Sequence, residues 1–371
     1  MALIKKYKLG ELIDQCDERN SDLTYTLDDV KGISIQKKFI ETKADMDGVS
    51  LKPYKLVKPD EFAYVTVTSR NGEKITLAHN DTQSTYIVSS SYIVFKIKDT
   101  DSLLSEYLFM YFNRAEFDRY SRFNSWGSAR ETFDWSEMCD IEIDLPEIDI
   151  QRKYAEVYVS MLENQRSYEC GLEDLRTTCI AYIEKLRRKG NLKRIGDYIQ
   201  PFNEKNTDGK ITLEQGINIE KKFIDPQRSN SNLTGRKVVK HGMFAYCTQL
   251  NNENVAIAYR DGEDCVVSSV YDVFEITKPS ELLPEYLMLW LIRPEFGRFV
   301  YWASEGSAYE FLNYDNLADY LIPIPDIEIQ RSIGDIYLLY ITRRTINERL
   351  KTQIKEMCPI LIKGSIEEAR A

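Results

Sequence analysis

Residues 146–152 read PEIDIQR and residues 325–331 read PDIEIQR, two near-identical heptapeptides 179 positions apart. Each opens a charge-rich stretch with apolar residues at helical spacing. Upstream of both copies the offset of 179 returns. VSSSYIVFKI at 88–97 matches VSSVYDVFEI at 267–276, SEYLFMYFNRAEF at 105–117 matches PEYLMLWLIRPEF at 284–296, and GSARETFDW at 127–135 matches GSAYEFLNY at 306–314. Further upstream the offset drifts: FAY at 62–64 pairs with FAY at 244–246, and GISIQKKFI at 32–40 pairs with GINIEKKFI at 216–224. Drift by a few residues is what loop insertions between fixed elements produce. Several blocks in one co-linear order mean a tandem duplication.

Downstream of each heptapeptide the pattern predicts a long helix. In the first, the apolar or aromatic positions run Ile150, Tyr154, Val157, Met161, then Tyr168, Leu172, Leu175, Cys179, Tyr182 and Leu186, with polar Asn164 inside the stripe. In the second they run Ile329, Ile333, Ile336, Tyr340, then Leu350, Ile354, Met357 and Leu361, with Arg343 and Asn347 between. Steps of four and three make a narrow seam of coiled-coil type. Pro146 and Pro325 stand just upstream, Gly190 is placed to end the first helix, and Pro359 is expected to end or kink the second.

Between these tails, EFAYVTV, STYIVSSSYIVFKI and CVVSSVYDVFEI are rich in β-branched and aromatic residues and predict strands. SLLSEYLFMYFNRAEFDRYS and ELLPEYLMLWLIRPEFGRFV predict helices, with Pro294 marking a break in the second. The expected fold class is α+β. Two tandem mixed α/β domains, 1–147 and 191–326, are each followed by a long helix, 148–190 and 327–371. The two helices are expected to pair as an antiparallel coiled coil with pseudo-two-fold symmetry. At 1.5 Å per residue, a helix over residues 150–186 would span roughly 55 Å.

The composition, 43% hydrophobic and 29% charged over 371 residues, is that of a globular protein. No apolar run approaches a membrane span, which takes about 18 residues or more. The opening MALIKKYKLGEL has no apolar core and cleavage site of the kind a signal peptide needs. Seven scattered cysteines with no CxxC pair suggest reduced thiols and a cytoplasmic protein rather than a disulfide frame or zinc site. A net charge of -10 argues against coating nucleic acid with the whole surface, though not against a local basic face.

Motifs for catalysis are absent. His79 and His241 do not align between the halves, and each is expected at a surface or in a loop. There is no GxxxxGK phosphate loop and no GxGxxG, and no Asn-Pro-Pro-aromatic or Asp-Pro-Pro-Tyr tetrapeptide of the kind amino-methyltransferases use. Glu41-Thr42-Lys43 has the spacing of a nuclease ending without a convincing acidic strand before it, and reads as coincidence. No catalytic and no metal-binding residues are assigned.

A duplicated domain whose halves end in LPEIDIQRK and IPIPDIEIQRS, each leading into a coiled-coil helix, resembles the specificity (S) subunit of a type I restriction-modification system. SRFNSWGSARETFDW, ETKADMDGVSLKPYKL and VSSSYIVFKI are similar to segments of that family's target recognition domains, and the resemblance covers essentially the whole chain. It implies a non-catalytic subunit that binds double-stranded DNA, each domain reading one half of a bipartite site. The helices would set the gap and dock two modification (M) subunits, which carry S-adenosylmethionine and methylate adenine at N6. A restriction (R) subunit is an optional further partner. No cofactor is expected on this chain and no membrane. Two other classes stay open: an enzyme with an unrecognised site, and a protein-only scaffold.

Base readout needs polar side chains on loops that reach a groove. After the FAY strand the first half offers Ser69, Arg70, Asn71 and Lys74, and the second offers Gln249, Asn251, Asn252 and Asn254. A matched scaffold with unmatched loops suits two domains that read different half-sites; two polar turns that have simply drifted apart would look the same. A second pair of loops offers Trp126, Ser128 and Arg130, against Ser307 and Tyr309. Lys37, Lys38, Lys221 and Lys222 recur at equivalent places and suit a shared task such as phosphate contact, or are plain solvated lysines. Within the heptapeptides, Ile150, Gln151 and Arg152, with Ile329, Gln330 and Arg331, are expected at the domain–helix corner as spacer and M-subunit contacts.

Overall fold

The computed structural model describes residues 4–42, 44–68, 74–127, 130–226, 232–250, 254–304 and 311–371. The chain forms two compact units: residues 1–167 with 347–371, and residues 168–346. Both boundaries fall inside the long helices, Ile148–Lys189 and Ile327–Arg370, rather than at their starts.

Unit one is built on a four-stranded antiparallel sheet in the order Ile13–Cys16, Tyr92–Ile97, Phe62–Val65, Leu77–His79. Unit two repeats the topology with Ile199–Phe202, Tyr271–Ile276, Phe244–Cys247 and Ile257–Tyr259. The registers repeat as well. Phe62 stands opposite Phe95 and Phe244 opposite Phe274. The two ring pairs stack at 5.0 and 4.9 Å, cross-strand contacts of the kind that stabilise sheets. Each unit adds the same three small ladders. They are Lys5–Lys8 with Glu142–Leu145, Lys31–Ile33 with Phe39–Glu41, and Lys55–Val57 with Tyr86–Val88 in unit one. In unit two they are Leu192–Arg194 with Leu321–Pro323, Gly216–Ile217 with Phe223–Ile224, and Lys237–Val239 with Cys265–Val267.

STYIVSSSYIVFKI resolves into two strands, with a turn at Ser89 whose carbonyl accepts from Tyr92 N (3.0 Å). The apolar segment after it is two helices, Ser105–Phe112 and Ala115–Phe123, matched by Pro284–Leu291 and Pro294–Ala303. The break that Pro294 signals therefore occurs in unit one without a proline. There, Asn113 Nδ2 donates to Phe109 O (3.0 Å) and Lys37 Nζ to Phe112 O (2.7 Å), closing carbonyls that the helix end leaves open.

Each unit buries one segment of each long helix. In unit one Lys153 Nζ meets Glu368 (2.8 Å), and Gln165 Nε2 donates to Asn347 Oδ1 (3.0 Å). Numbers rise on one helix as they fall on the other, so the segments run antiparallel. In unit two Arg343 lies over the Tyr168 ring at 5.5 Å, and Cys179 lies near Tyr337, again antiparallel.

The expected seam is out of phase at the start of the first helix. Gln151, Ala155, Tyr158 and Gln165 are buried, while Val157 is 46% exposed and Ile150 half-buried. The buried row sits one residue later than the apolar row, because two of its members are glutamines with internal partners. The second helix does not keep a narrow seam either. Ile354, Cys358, Leu361 and Ile362 join the core of unit one in a broad face, and Tyr107 shares a hydrogen bond with Ser365 (2.7 Å). Each such apolar side chain contributes roughly 1.5–3 kcal/mol on full burial. Pro359, half-buried next to the buried Cys358, Leu361 and Ile362, does not end the helix, which continues through it to Arg370; burial on both sides of the proline outweighs its missing donor. Gly190, at φ +54°, follows the last residue of the first helix as expected. No helix among the described residues is long and apolar enough to cross a membrane.

Candidate nucleic-acid interface

Two of the expected loops in each unit leave the scaffold side by side. In unit one, Thr68 N donates to Glu131 O (2.9 Å) and Trp126 and Thr132 exchange backbone hydrogen bonds at 3.0 and 2.9 Å. The approaches to residues 69–73 and 127–131 are therefore neighbours. In unit two Gln249 bridges to Phe311, and Leu312 N donates to Thr248 O (2.9 Å). The approaches to 250–254 and 305–310 are neighbours in the same way. Trp126, Arg130, Lys74, Gln249 and Asn254 are exposed at these places. Ser69, Arg70, Asn71, Ser128, Asn251, Asn252, Ser307 and Tyr309 lie outside the described residues.

Sequence reasoning missed the most exposed aromatic in each unit among the described residues, Phe123 (79%) and Trp302 (80%). They occupy equivalent positions at the ends of helices Ala115–Phe123 and Pro294–Ala303, next to the second loop. The alignment at offset 179 contains the signal, since it sets Arg122-Phe123 against Tyr301-Trp302. Exposure itself could not be read from it.

The recurring lysines divide into two kinds. Lys38 and Lys222 are exposed. Lys37 and Lys221 instead point their ammonium groups inward, which removes them as phosphate contacts. Each stands at positive φ, +60° and +62°, in a turn closed by Lys37 N to Ser34 O and by Lys221 N to Asn218 O, both 3.0 Å. Lys37 Nζ donates to Phe112 O (2.7 Å), pairs with Asp118 at 2.6 Å and lies 5.1 Å from the Phe117 ring. Lys221 donates to Leu291 O and lies 5.3 Å from the Phe296 ring, but position 297 is glycine where unit one has Asp118. The shared task is to cap a helix C-terminus, whose carbonyls favour a cation.

Burial pushes Lys221 from 10.5 down to about 8. Between those values the unfolded chain binds more protons than the folded one. The contribution of Lys221 to stability is therefore lowest below about pH 8 and rises as the pH climbs through this window. Urea unfolding of the chain and of Lys221→Gln should accordingly give a stability difference that shifts in favour of the parent from pH 7.5 to 10. A constant difference would mean that the amine is fully solvated in the folded state.

The heptapeptide residues also separate. Gln151 and Gln330 are 0% exposed, which excludes them as partner contacts. Gln151 Nε2 donates to Ser102 O (2.9 Å) and Pro146 O (2.8 Å), and its Oε1 accepts from Leu104 N (3.1 Å). Gln330 does the same with Glu281 O (2.6 Å), Pro325 O (2.8 Å) and Leu283 N (3.0 Å). They lie at the domain–helix corner, as expected, but as internal clips. Arg152 and Arg331 are exposed, pairing with Asp149 (3.0 Å) and Glu328 (2.8 Å), and Ile329 is 38% exposed. Ile150 and Ile329 thus do not begin the buried seam.

His241 is exposed, but His79 is not. It sits in strand Leu77–His79 with its ring 4.6 Å from Phe62, and burial holds it below the usual imidazole range. Glu41 pairs with Lys31 at 2.6 Å, and no group of three or more His, Cys, Asp or Glu among the described residues could hold a metal.

No protein-family model matches the chain, and no curated protein sequence matches it. Solved structures do. The type I restriction-modification system S subunit from M. genitalium superposes with a TM-score of 0.59 at 12% identity, over 98% of this chain and 96% of that one. The HsdS subunit from Thermoanaerobacter tengcongensis gives 0.39 at 14% identity, over 98% and 96%. A structure described as the basis of complex assembly and conformational transition of the type I R-M system gives 0.46 at 13%, over 98% and 97%. The fold of this chain is that of the M. genitalium S subunit along nearly its whole length.

Proposed function

We propose that the chain is the specificity subunit of a type I restriction-modification system, in which each unit reads one half of a bipartite double-stranded DNA site. One observation carries the reading: a single scaffold occurs twice, down to strand register and glutamine clips, while the loops anchored at its equivalent edge differ in sequence. Constancy of the scaffold with divergence of the loops is what two readers of different half-sites require. The S-subunit fold over nearly the whole chain supports it. A protein-only scaffold has no need of unlike loops on like frames.

The expected partners are two M subunits, which bring S-adenosylmethionine and methylate adenine at N6, with an R subunit as an optional addition. The chain itself binds no cofactor, carries out no chemistry and works in the cytoplasm. Exposed apolar side chains on the long helices, Val157, Ile180, Leu338, Leu339 and Ile346, suit a protein partner, with Arg152 and Arg331 beside the clips. Lys38, Lys74 and Lys222 suit DNA phosphates.

The test is methylation-sensitive sequencing of a host carrying this chain and its M partner, which should yield one bipartite motif. Arg70→Ala with Asn71→Ala should relax only one half of the motif, and Gln249→Ala with Asn251→Ala only the other. A lost bidentate base contact costs about 1–3 kcal/mol of discrimination. An unchanged motif in either variant would show that other residues do the reading.

A further inference from the structure

We propose that unit two contains a binding site for a small oxyanion, a phosphate or carboxylate group, in the cleft lined by Lys221. The duplication supplies the comparison. Both units have a cleft at the same place, between the lysine turn, the end of the first short helix and a long-helix segment. In unit one the buried ammonium of Lys37 is answered by the chain's own Asp118 at 2.6 Å, and the cleft is about 190 Å³. In unit two the same carbonyl and the same aromatic position receive Lys221, the acid is replaced by Gly297, and the cleft is about 630 Å³.

Among the described residues no carboxylate lies within ion-pair distance of Lys221. A carbonyl at a helix end carries only part of a charge, and a desolvated cation without a counter-ion is costly. The nearby cations do not close the account internally. Arg260 is held by Gln215 and Glu263 O at 2.5 Å each, and Arg344 reaches Glu220 only at 4.0 Å. Lys222, Arg260 and Arg344 line the same cleft against two carboxylates, Glu220 and Asp261, so with Lys221 the lining is net positive and an anion there would meet further positive charge. Apolar walls from Met288, Ile292, Tyr337 and Ile341, in a space of the size that holds small ligands, leave room for an organic body attached to the anionic group. The oxyanion takes the place that Asp118 fills in unit one. This inference does not depend on what the loops read.

The experiment uses the full chain. Thermal unfolding is followed in inorganic phosphate, in acetate and in chloride at constant ionic strength, for the parent, Gly297→Asp and Lys221→Gln. Phosphate or acetate at millimolar concentration should raise the parent's Tm by about 2 °C or more over chloride. Gly297→Asp, which restores the acid internally, should lose that rise, and Lys221→Gln should lose it as well. The anion that acts identifies the ligand as a phosphate or a carboxylate. Should Gly297→Asp fail to fold, Lys221→Gln, which keeps a donor near Leu291 O, decides alone. A rise that persists in the variants would mean adventitious anion binding elsewhere and would overturn the proposal, as would the absence of any rise in the parent.

Discussion

Gln151→Leu should lower the unfolding free energy of the chain by about 3–5 kcal/mol, and Gln330→Leu should do the same in unit two. The side chain is fully buried and satisfies Ser102 O, Pro146 O and Leu104 N. Leucine fills similar space but leaves all three backbone groups without a partner, and each buried orphan costs about 1–3 kcal/mol. Gln151→Glu keeps the acceptor for Leu104 N, loses both donors and buries a carboxylate, so it should also be severe. Arg152→Ala, on an exposed side chain beside it, should stay within about 0.5 kcal/mol of the parent. Urea unfolding followed by tryptophan fluorescence reports both units, since Trp126 and Trp135 lie in unit one and Trp290 and Trp302 in unit two, and replacing one pair by phenylalanine leaves the signal of the other unit alone. A loss below about 1 kcal/mol would mean that water replaces the clip. The physical reason for the repeated heptapeptide then differs from the one its sequence suggests. Its glutamine is constant because it ties a strand end and a loop to the first turn of the long helix, a constraint that each copy of the fold meets alone. Docking of a common partner remains a proposed reason for the exposed Arg152, Arg331 and Ile329.

The duplication was legible because it shows as identity at a fixed offset, and strand, turn and helix positions follow from it. What was not legible depends on tertiary contacts that change the meaning of a residue type. Gln151 and Gln165 are polar yet buried, so a search for apolar spacing put the first helix one residue out of phase. Lys37 and Lys221 recur as solvent-seeking lysines would, but a positive-φ turn aims them at the carbonyls of Phe112 and Leu291. Pro359 reads as a helix breaker, and the apolar face that Cys358, Leu361 and Ile362 bury on either side of it could not be known. That face also explains why the last 25 residues belong to unit one, although sequence order places them after unit two. For the candidate interface, the sequence identified loops by their unlike residues. The structure adds that they are anchored in neighbouring pairs, and that an aromatic stands exposed beside each pair. On the proposed reading, which of their side chains meet bases and which meet phosphates is set by the complex with DNA, and no spacing rule encodes it.

On the proposed reading, a change in helix length should alter the gap between half-sites and leave the half-sites themselves intact. The first long helix passes from unit one to unit two after Ser167, and the second passes from unit two to unit one after Ile346. Four residues of strong helix formers inserted at both points lengthen each helix by about 6 Å, at 1.5 Å per residue. The two insertions must be made together. Gln165 pairs with Asn347 across the antiparallel segments, and lengthening one helix alone would set their buried faces against each other out of register. Since B-DNA rises about 3.4 Å per base pair, the methylated motif should keep both half-sites and gain about two unspecified base pairs between them. Four residues also turn a helix by about 40° beyond one full turn, so some loss of methylation rate is expected with the longer gap. The readout is the motif found by methylation-sensitive sequencing with the M partner present. A changed base within a half-site would mean that the helices shape the reading loops. An unchanged gap would mean that they do not set the spacing, and the division of labour between reading units and spacer would fail.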